Sequence, residues 1–416
     1  RVAAADETAI IHAVVHPASG PAIDDGCLVI RDGHIVSIAK GATGFDSTHA
    51  RVVDARGMHL YPSLIDPDTT LGLVEIEAVR ATRDETEKGR LNANARVDVA
   101  FNPDSQELPI AMSAGILVAG VSPRGALVAG RTAVMRLHGW TREDMTVKAP
   151  AALLVRWPRM TIGRESDALG KKQEKTRREA LRELDEAFED ARAYARGVDT
   201  GRIDERDVQW EAMGPVLRGE VPLLVEADGL DEIRAALKWA ARQKVRVVLL
   251  GGRDAWRAAK ELATAHVPVI YTALLAVPTR DHEPYDTYYR APAVLAAAGV
   301  VVALSGTDDA TNVRYLSDLA GRARAWGLGE IESLRAITLH PAQMLGVAHR
   351  LGSLEAGKEA TFFLADGDIL DTRTHVLRAW VGGREVDLTD RQKALYHKYG
   401  DRPREDRGER SRTQSQ

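Results

Sequence analysis

Two kinds of apolar patterning divide the chain. Near its start, "TAIIHAVVHPAS" (8–19), "CLVIRDGHIVSIAKG" (27–41) and "ARVVDARGMHL" (50–60) are short Val- and Ile-rich runs separated by turn residues, which predicts strands. The Asp-Gly pair in "RDGH" predicts a tight hairpin. The same texture returns near the end in "GSLEAGKEATFFLADGD" (352–368) and "HVLRAWVGGREVDL" (375–388), with Gly-Gly at a turn. Two strand-rich segments at opposite ends of the chain can meet as one small β-sandwich.

Between them the pattern changes. Eight short apolar runs recur: "LYPSLID", "GILVAGV", "TAVMRLHGW", "ALLVRW", "VPLLVEA", "VRVVLLGG", "VPVIYTAL" and "GVVVALSG". Several lead into stretches with apolar residues at helical spacing, such as "LDEIRAALKWAARQK" (230–244) and "RDAWRAAKELATAH" (253–266). Strands alternating with helices predict a parallel sheet, and eight of them predict a closed barrel. The fold expected is therefore α/β, a TIM-like (β/α)8 barrel plus a small β-sandwich formed by both chain ends. Residues 1–60 and 346–390 are assigned to the sandwich and 61–345 to the barrel. A charged helical insertion at about 165–200 is expected to be a solvated excursion packed on one face, with a partner-binding arm as the sharper alternative. Residues 391–416 form an extension whose last part, "DRPREDRGERSRTQSQ", has no apolar residue to bury and is expected to be disordered.

Composition narrows the function classes. Sixty acidic and fifty-six basic residues leave a net charge of −4, which gives no general attraction to nucleic acid or anionic lipid. The single cysteine, Cys27, excludes an internal disulfide framework and a cysteine-rich zinc module. No apolar run is long enough for a membrane-spanning helix. The chain opens on "RVAAADETA", a small, polar segment of the kind that follows a signal cleavage site, so a periplasmic or secreted location is one expectation and a cytoplasmic one the other. Nucleotide-binding and serine-hydrolase signatures are missing: "LLGGRDA" lacks the lysine of a phosphate loop, and "SPRGALVAGRT" is a glycine-containing loop placed at the barrel mouth.

In a barrel of this kind, chemistry sits at the C-terminal ends of the strands. At the first of them the chain reads "SLIDPDTTLGLVEI". Together with "DDGCLVIRDGHIVSI" and "AITLHPAQMLGVAHRLGSLEAGKEATFFLADGD", this resembles the amidohydrolase superfamily, the metal-dependent hydrolases of imidazolonepropionase and dihydroorotase type. "NPDS" (102–105) and "HGWTREDMTVKAP" (138–150) further resemble a subgroup of uncharacterised bacterial members. The resemblance implies a His-X-His pair after the first strand, a His after the fifth, a His after the sixth and an Asp after the eighth. In this chain those positions fall on Asp68, Thr70, Glu226, Gly251 and Asp308, so no histidine ligand of the family is matched. Where some relatives carry a carboxylated lysine, at the fourth strand, the chain has Arg156 and Trp157.

Zinc at a hydrolytic site takes imidazole nitrogens with a carboxylate and brings bound water to a pKa of about 7. Asp68, Glu226 and Asp308 would offer oxygen only, a set suited to Mg²⁺ or Mn²⁺. Each also has a purely structural role open to it. Asp68 and Thr70 can cap a turn, Glu226 can pair with Arg156 or Arg253, and Asp308 and Asp309 can begin a helix. Of the twelve histidines, His138 and His282 are the two in loops expected to reach the mouth; with Arg156 they are the candidate substrate-binding residues. Asp308 is the one candidate catalytic residue. The expected function is a non-catalytic binding or partner subunit with no cofactor, in a homo-oligomer or beside an active amidohydrolase-like chain. The alternative is a hydrolase of dipeptide or other C–N bonds using Mg²⁺, Mn²⁺ or Zn²⁺ at an altered, carboxylate-rich site.

Overall fold

The computed structural model describes residues 7–161, 167–306 and 310–400. Five strands come first: β1 (Glu7–Val15), β2 (Ile23–Arg31), β3 (His34–Lys40), β4 (Arg51–Asp54) and β5 (His59–Pro62). Eight follow through the middle: β6 (Leu64–Thr69), β7 (Ile116–Val121), β8 (Val128–Arg136), β9 (Thr146–Arg156), β10 (Leu223–Ala227), β11 (Val247–Gly251), β12 (Val269–Tyr271) and β13 (Val302–Leu304). Three close the chain: β14 (Phe362–Ala365), β15 (Val376–Val381) and β16 (Arg384–Val386).

Both chain ends build one sheet, in the order β16-β15-β14-β5-β1-β2-β3, with β4 paired to β1. Its core is formed by Trp380, Phe362, Leu60, Ile10, Leu28 and Ile35, and the Phe362 and Trp380 rings stack with centroids 4.9 Å apart. At the β2–β3 hairpin Asp32 and Gly33 both have positive φ (50° and 78°), the conformation a two-residue hairpin turn requires. The β15–β16 hairpin turns on Gly382 and Gly383, also at positive φ. The two hairpins meet glycine against glycine: a Cβ on Gly33 would lie 2.8 Å from the Gly382 carbonyl oxygen, and one on Gly383 would lie 2.7 Å from the Gly33 Cα. Sequence ends 350 residues apart are thus joined where a side chain would keep them separate.

The second sheet has eight strands in the order β13-β12-β11-β10-β9-β8-β7-β6. It is a nearly closed barrel with no ladder between β13 and β6, whose edges both bond to the 336–337 segment. The Ile65 amide donates to the Ile337 carbonyl at 2.8 Å, and the Leu304 amide to the Ala336 carbonyl at 2.9 Å. One strand departs from the all-parallel expectation. β8 runs antiparallel to both β7 and β9, while the other ladders are parallel. The reason is connection length: only residues 122–127 separate β7 from β8, and a parallel crossover needs about a dozen. Met344 joins Leu154, Leu224, Val248, Leu250 and Ile270 in filling part of the barrel interior.

The charged helix spans Asp167–Asp199. Ala180, Leu184, Ala187, Phe188, Ala191 and Tyr194 are its buried side chains, and their spacing puts them on one stripe. Phe188 meets Trp239 of the helix Leu230–Gln243 edge to face at 4.9 Å, and Asp185 accepts from the Trp239 indole at 2.7 Å. Among the described residues no helix is long and apolar enough to cross a membrane. The tail 401–416, expected to be disordered, lies outside the described residues.

Candidate functional site at the barrel mouth

β6 carries two consecutive acidic anchors into the mouth, Asp66 and Asp68, separated by Pro67. Asp66 is fully buried. It accepts from the Ser305 hydroxyl at 2.6 Å, the Asp68 amide at 3.1 Å and the Gly306 amide at 3.3 Å. The Ser305 hydroxyl also contacts the Asp68 carbonyl at 2.9 Å, so this cluster ties the first barrel strand to the last. Burial pushes the Asp66 carboxyl up to about 7, against the pull of those three donors. Its folded value lies above the ordinary 3.8. Between those values the folded chain keeps a proton that the unfolded chain releases. The stability this contributes is present in acid and lost as pH rises from about 4 through about 7. Asp66→Asn cannot titrate. Urea unfolding at pH 4 and pH 8 should therefore show wild type losing roughly a few kcal/mol relative to the variant across that range.

Asp68, the first ligand-equivalent position, is 3% exposed and faces a guanidinium. Arg124 donates from Nη1 to Oδ1 and from Nη2 to Oδ2, each at 3.1 Å, in a two-pronged pair with side chains 11% and 4% exposed. Arg124 stands on the short loop between β7 and β8. It is positioned there by its own amide, which donates to the Glu85 carbonyl at 2.6 Å. Arg83 in turn holds the buried Glu85 carboxylate. Thr70, the second position, is buried, and its carbonyl accepts from the Leu73 amide at 2.9 Å.

The fifth-strand position repeats the arrangement nearer to solvent. Arg156 at the end of β9 donates from Nε and Nη2 to the two oxygens of Glu226 at 2.8 and 3.0 Å. The two residues are register partners on adjacent parallel strands. At the sixth strand, Gly251 has φ +92°, and a Cβ there would lie 2.9 Å from Asp228 Oδ1; it supplies no side chain to any ligand set. Beyond it lies Asp254, which is 1% exposed. Burial pushes that carboxyl up, but Arg280 and Arg257 outweigh burial and hold it below the usual carboxylate range. Arg280 also pairs with Glu283. Asp308, the eighth-strand position, and Asp309 lie outside the described residues.

The remaining candidates separate. Arg156 is at the mouth, as described. His282 lies on the loop after β12, also on the mouth side, and is exposed. His138 does not reach the mouth. Because β8 is reversed, the residues that follow it lie where the parallel strands begin; the Leu137 amide donates to the Leu117 carbonyl near the start of β7, at 2.9 Å. His138 is thus at the opposite end of the barrel from Asp68. The sequence had placed Arg124 in a mouth loop without giving it a role; its partner Asp68 is 56 positions away.

Among the described residues, the side chains at the positions the resemblance assigns to ligands do not fit a zinc site: Thr70 offers a hydroxyl, Gly251 has no side chain, and the carboxylates of Asp68 and Glu226 have both oxygens engaged by guanidinium donors. Among the described residues, no three His, Cys, Asp or Glu side chains are grouped so as to hold a metal ion. What the mouth does offer is carboxylates each met by two guanidinium N–H donors, Asp68 by Arg124 and Glu226 by Arg156.

A model described as "Amidohydrolase family" matches residues 230–389. Amidohydrolase tasK of Hapsidospora irregularis is 22% identical over 371 residues, covering 80% of this chain and 37% of that protein. Imidazolonepropionase of Erwinia tasmaniensis is 38% identical over 74 residues, 18% of this chain and 17% of its own length. The chain therefore spans well under two thirds of these relatives. Among solved structures, an amidohydrolase from Thermotoga maritima superposes with a TM-score of 0.81 at 24% identity, covering 91% of this chain and 99% of that one.

Proposed function

We propose, for a chain that belongs to the amidohydrolase superfamily, a non-catalytic role as a binding or partner subunit, alone in a homo-oligomer or beside an active relative. The observation that carries this reading is the pairing of Asp68 with Arg124 and of Glu226 with Arg156. A guanidinium supplies positive charge and planar hydrogen bonds at a carboxylate, as a metal would supply charge. It has no open coordination position for water and does not acidify one. The exchange of ligand for non-ligand is distributed over the first, fifth and sixth strands, which supports a site remade around ion pairs rather than one missing a single ligand. Exposed apolar side chains on the mouth loops, Ile76 and Val79 after β6 and Leu275, Val277 and Tyr285 after β12, support a role in contact with another molecule.

The test is turnover. Purified chain should hydrolyse neither dipeptides nor cyclic amides with Mg²⁺, Mn²⁺ or Zn²⁺ added. The competing reading, a C–N bond hydrolase with oxygen ligands, rests on the acidic residues at three ligand positions, Asp68, Glu226 and Asp308. It gains if activity appears with Mn²⁺ and disappears in Glu226→Ala; that result overturns the non-catalytic role.

A further inference from the structure

We propose that the face of the barrel opposite the mouth binds a small apolar carboxylate. A cavity of about 270 Å³ lies there. Three strand entrances form its wall: Arg246–Val248 into β11, Val267–Pro268 into β12 and Gly299–Val301 into β13. Main-chain groups at these entrances are already used in the sheet. The Leu223 amide donates to the Arg246 carbonyl, Leu249 to Pro268 and Val269 to Val301. The wall therefore presents mostly side-chain hydrocarbon. Met344 lines the cavity and also packs within the barrel interior, so the space is divided from the mouth by filled core.

The polar groups on the lining are basic or neutral: Arg246, His266 and Gln343, with no carboxylate among the lining residues. A second cation stands beside them. Lys148 donates to the Leu345 carbonyl at 3.0 Å, next to the Gln343–Met344 edge of the cavity. Burial lowers its pKa, and the nearby Arg246 lowers it further. A carboxylate at the rim would meet the Arg246 guanidinium, with Lys148 close by, while its apolar part leaves water. At roughly 30 Å³ per water-sized unit the volume suits a ligand of about nine heavy atoms.

The experiment is calorimetric titration of the full chain with octanoate, and with octan-1-ol and octylamine as matched neutral and cationic probes. Octanoate should bind at one site, at least about tenfold more tightly than the alcohol, with the amine weaker still. Arg246→Gln, at an exposed position that leaves the fold intact, should weaken octanoate about tenfold and leave the alcohol unchanged. Ala263→Phe, checked for native circular dichroism, should abolish binding of both by filling the cavity. Octanol binding as tightly as octanoate, or octanoate binding unchanged in either variant, overturns the proposal.

Discussion

Arg124→Met is expected to lower the stability of the chain by about 3 kcal/mol, because it leaves the Asp68 carboxylate buried without its counter-charge. Both partners are almost wholly shielded, with side chains 11% and 4% exposed, so water cannot take over the lost hydrogen bonds. Arg156→Met removes the same two-pronged contact from Glu226, where the side chains are 44% and 33% exposed. There the loss should be under about 1 kcal/mol. Asp68→Leu combined with Arg124→Met removes both charges and should return to within about 1 kcal/mol of wild type. Urea titration followed by circular dichroism reads all three. A loss at Arg124 no larger than that at Arg156 would mean that Asp68 finds another partner, and that the mouth is not organised by this pair.

Gly120→Ala should be at least as damaging, at about 3 kcal/mol or more. Gly120 lies in β7 beside the irregular stretch of β6, where the register shifts between Asp66 and Thr69. The Pro67 carbonyl fills the space a side chain would need: a Cβ would lie 2.3 Å from its oxygen, 2.8 Å from its carbon and 2.9 Å from Leu345 Cδ1. Two of these three neighbours are backbone and cannot rotate away. Relief requires moving β6, the strand that presents Asp66 and Asp68. Gly20→Ala is the control, since nothing lies within 4 Å of its added Cβ, and its effect should be within about 0.5 kcal/mol. Thermal melts of the two variants side by side give the comparison.

Much of the fold was legible in the sequence because it depends on local patterning. The Asp32-Gly33 and Gly382-Gly383 turns and the Val- and Ile-rich runs around them led to the sheet that both chain ends build, and the short apolar runs located the barrel strands. Strand direction was not legible from those runs. "TAVMRLHGW" has the same apolar character whether it lies parallel or antiparallel to its neighbours, and taking it as parallel carried His138 to the wrong end of the barrel. The signal that could have corrected it was the six-residue spacing 122–127, too short for a crossover.

The site was legible to a similar depth. Strand-end positions put both Arg156 and Arg253 within reach of Glu226, and the structure pairs it with Arg156. The pairing of Asp68 with Arg124 depends on how a loop folds over the mouth, which no periodicity encodes. The residues standing where the resemblance puts ligands, Asp68, Thr70, Glu226 and Gly251, were visible in single letters; the guanidinium that stands against Asp68 emerged only in three dimensions.

In the proposed role, ion pairs stand at the positions where a hydrolytic metal would be bound. Elemental analysis of the chain, purified from cells grown with added zinc and manganese and then gel-filtered without chelator, tests it most directly. The account predicts transition metal far below one ion per chain. One or two firmly held ions per chain, lost together with stability in Asp68→Ala or Glu226→Ala, would contradict it.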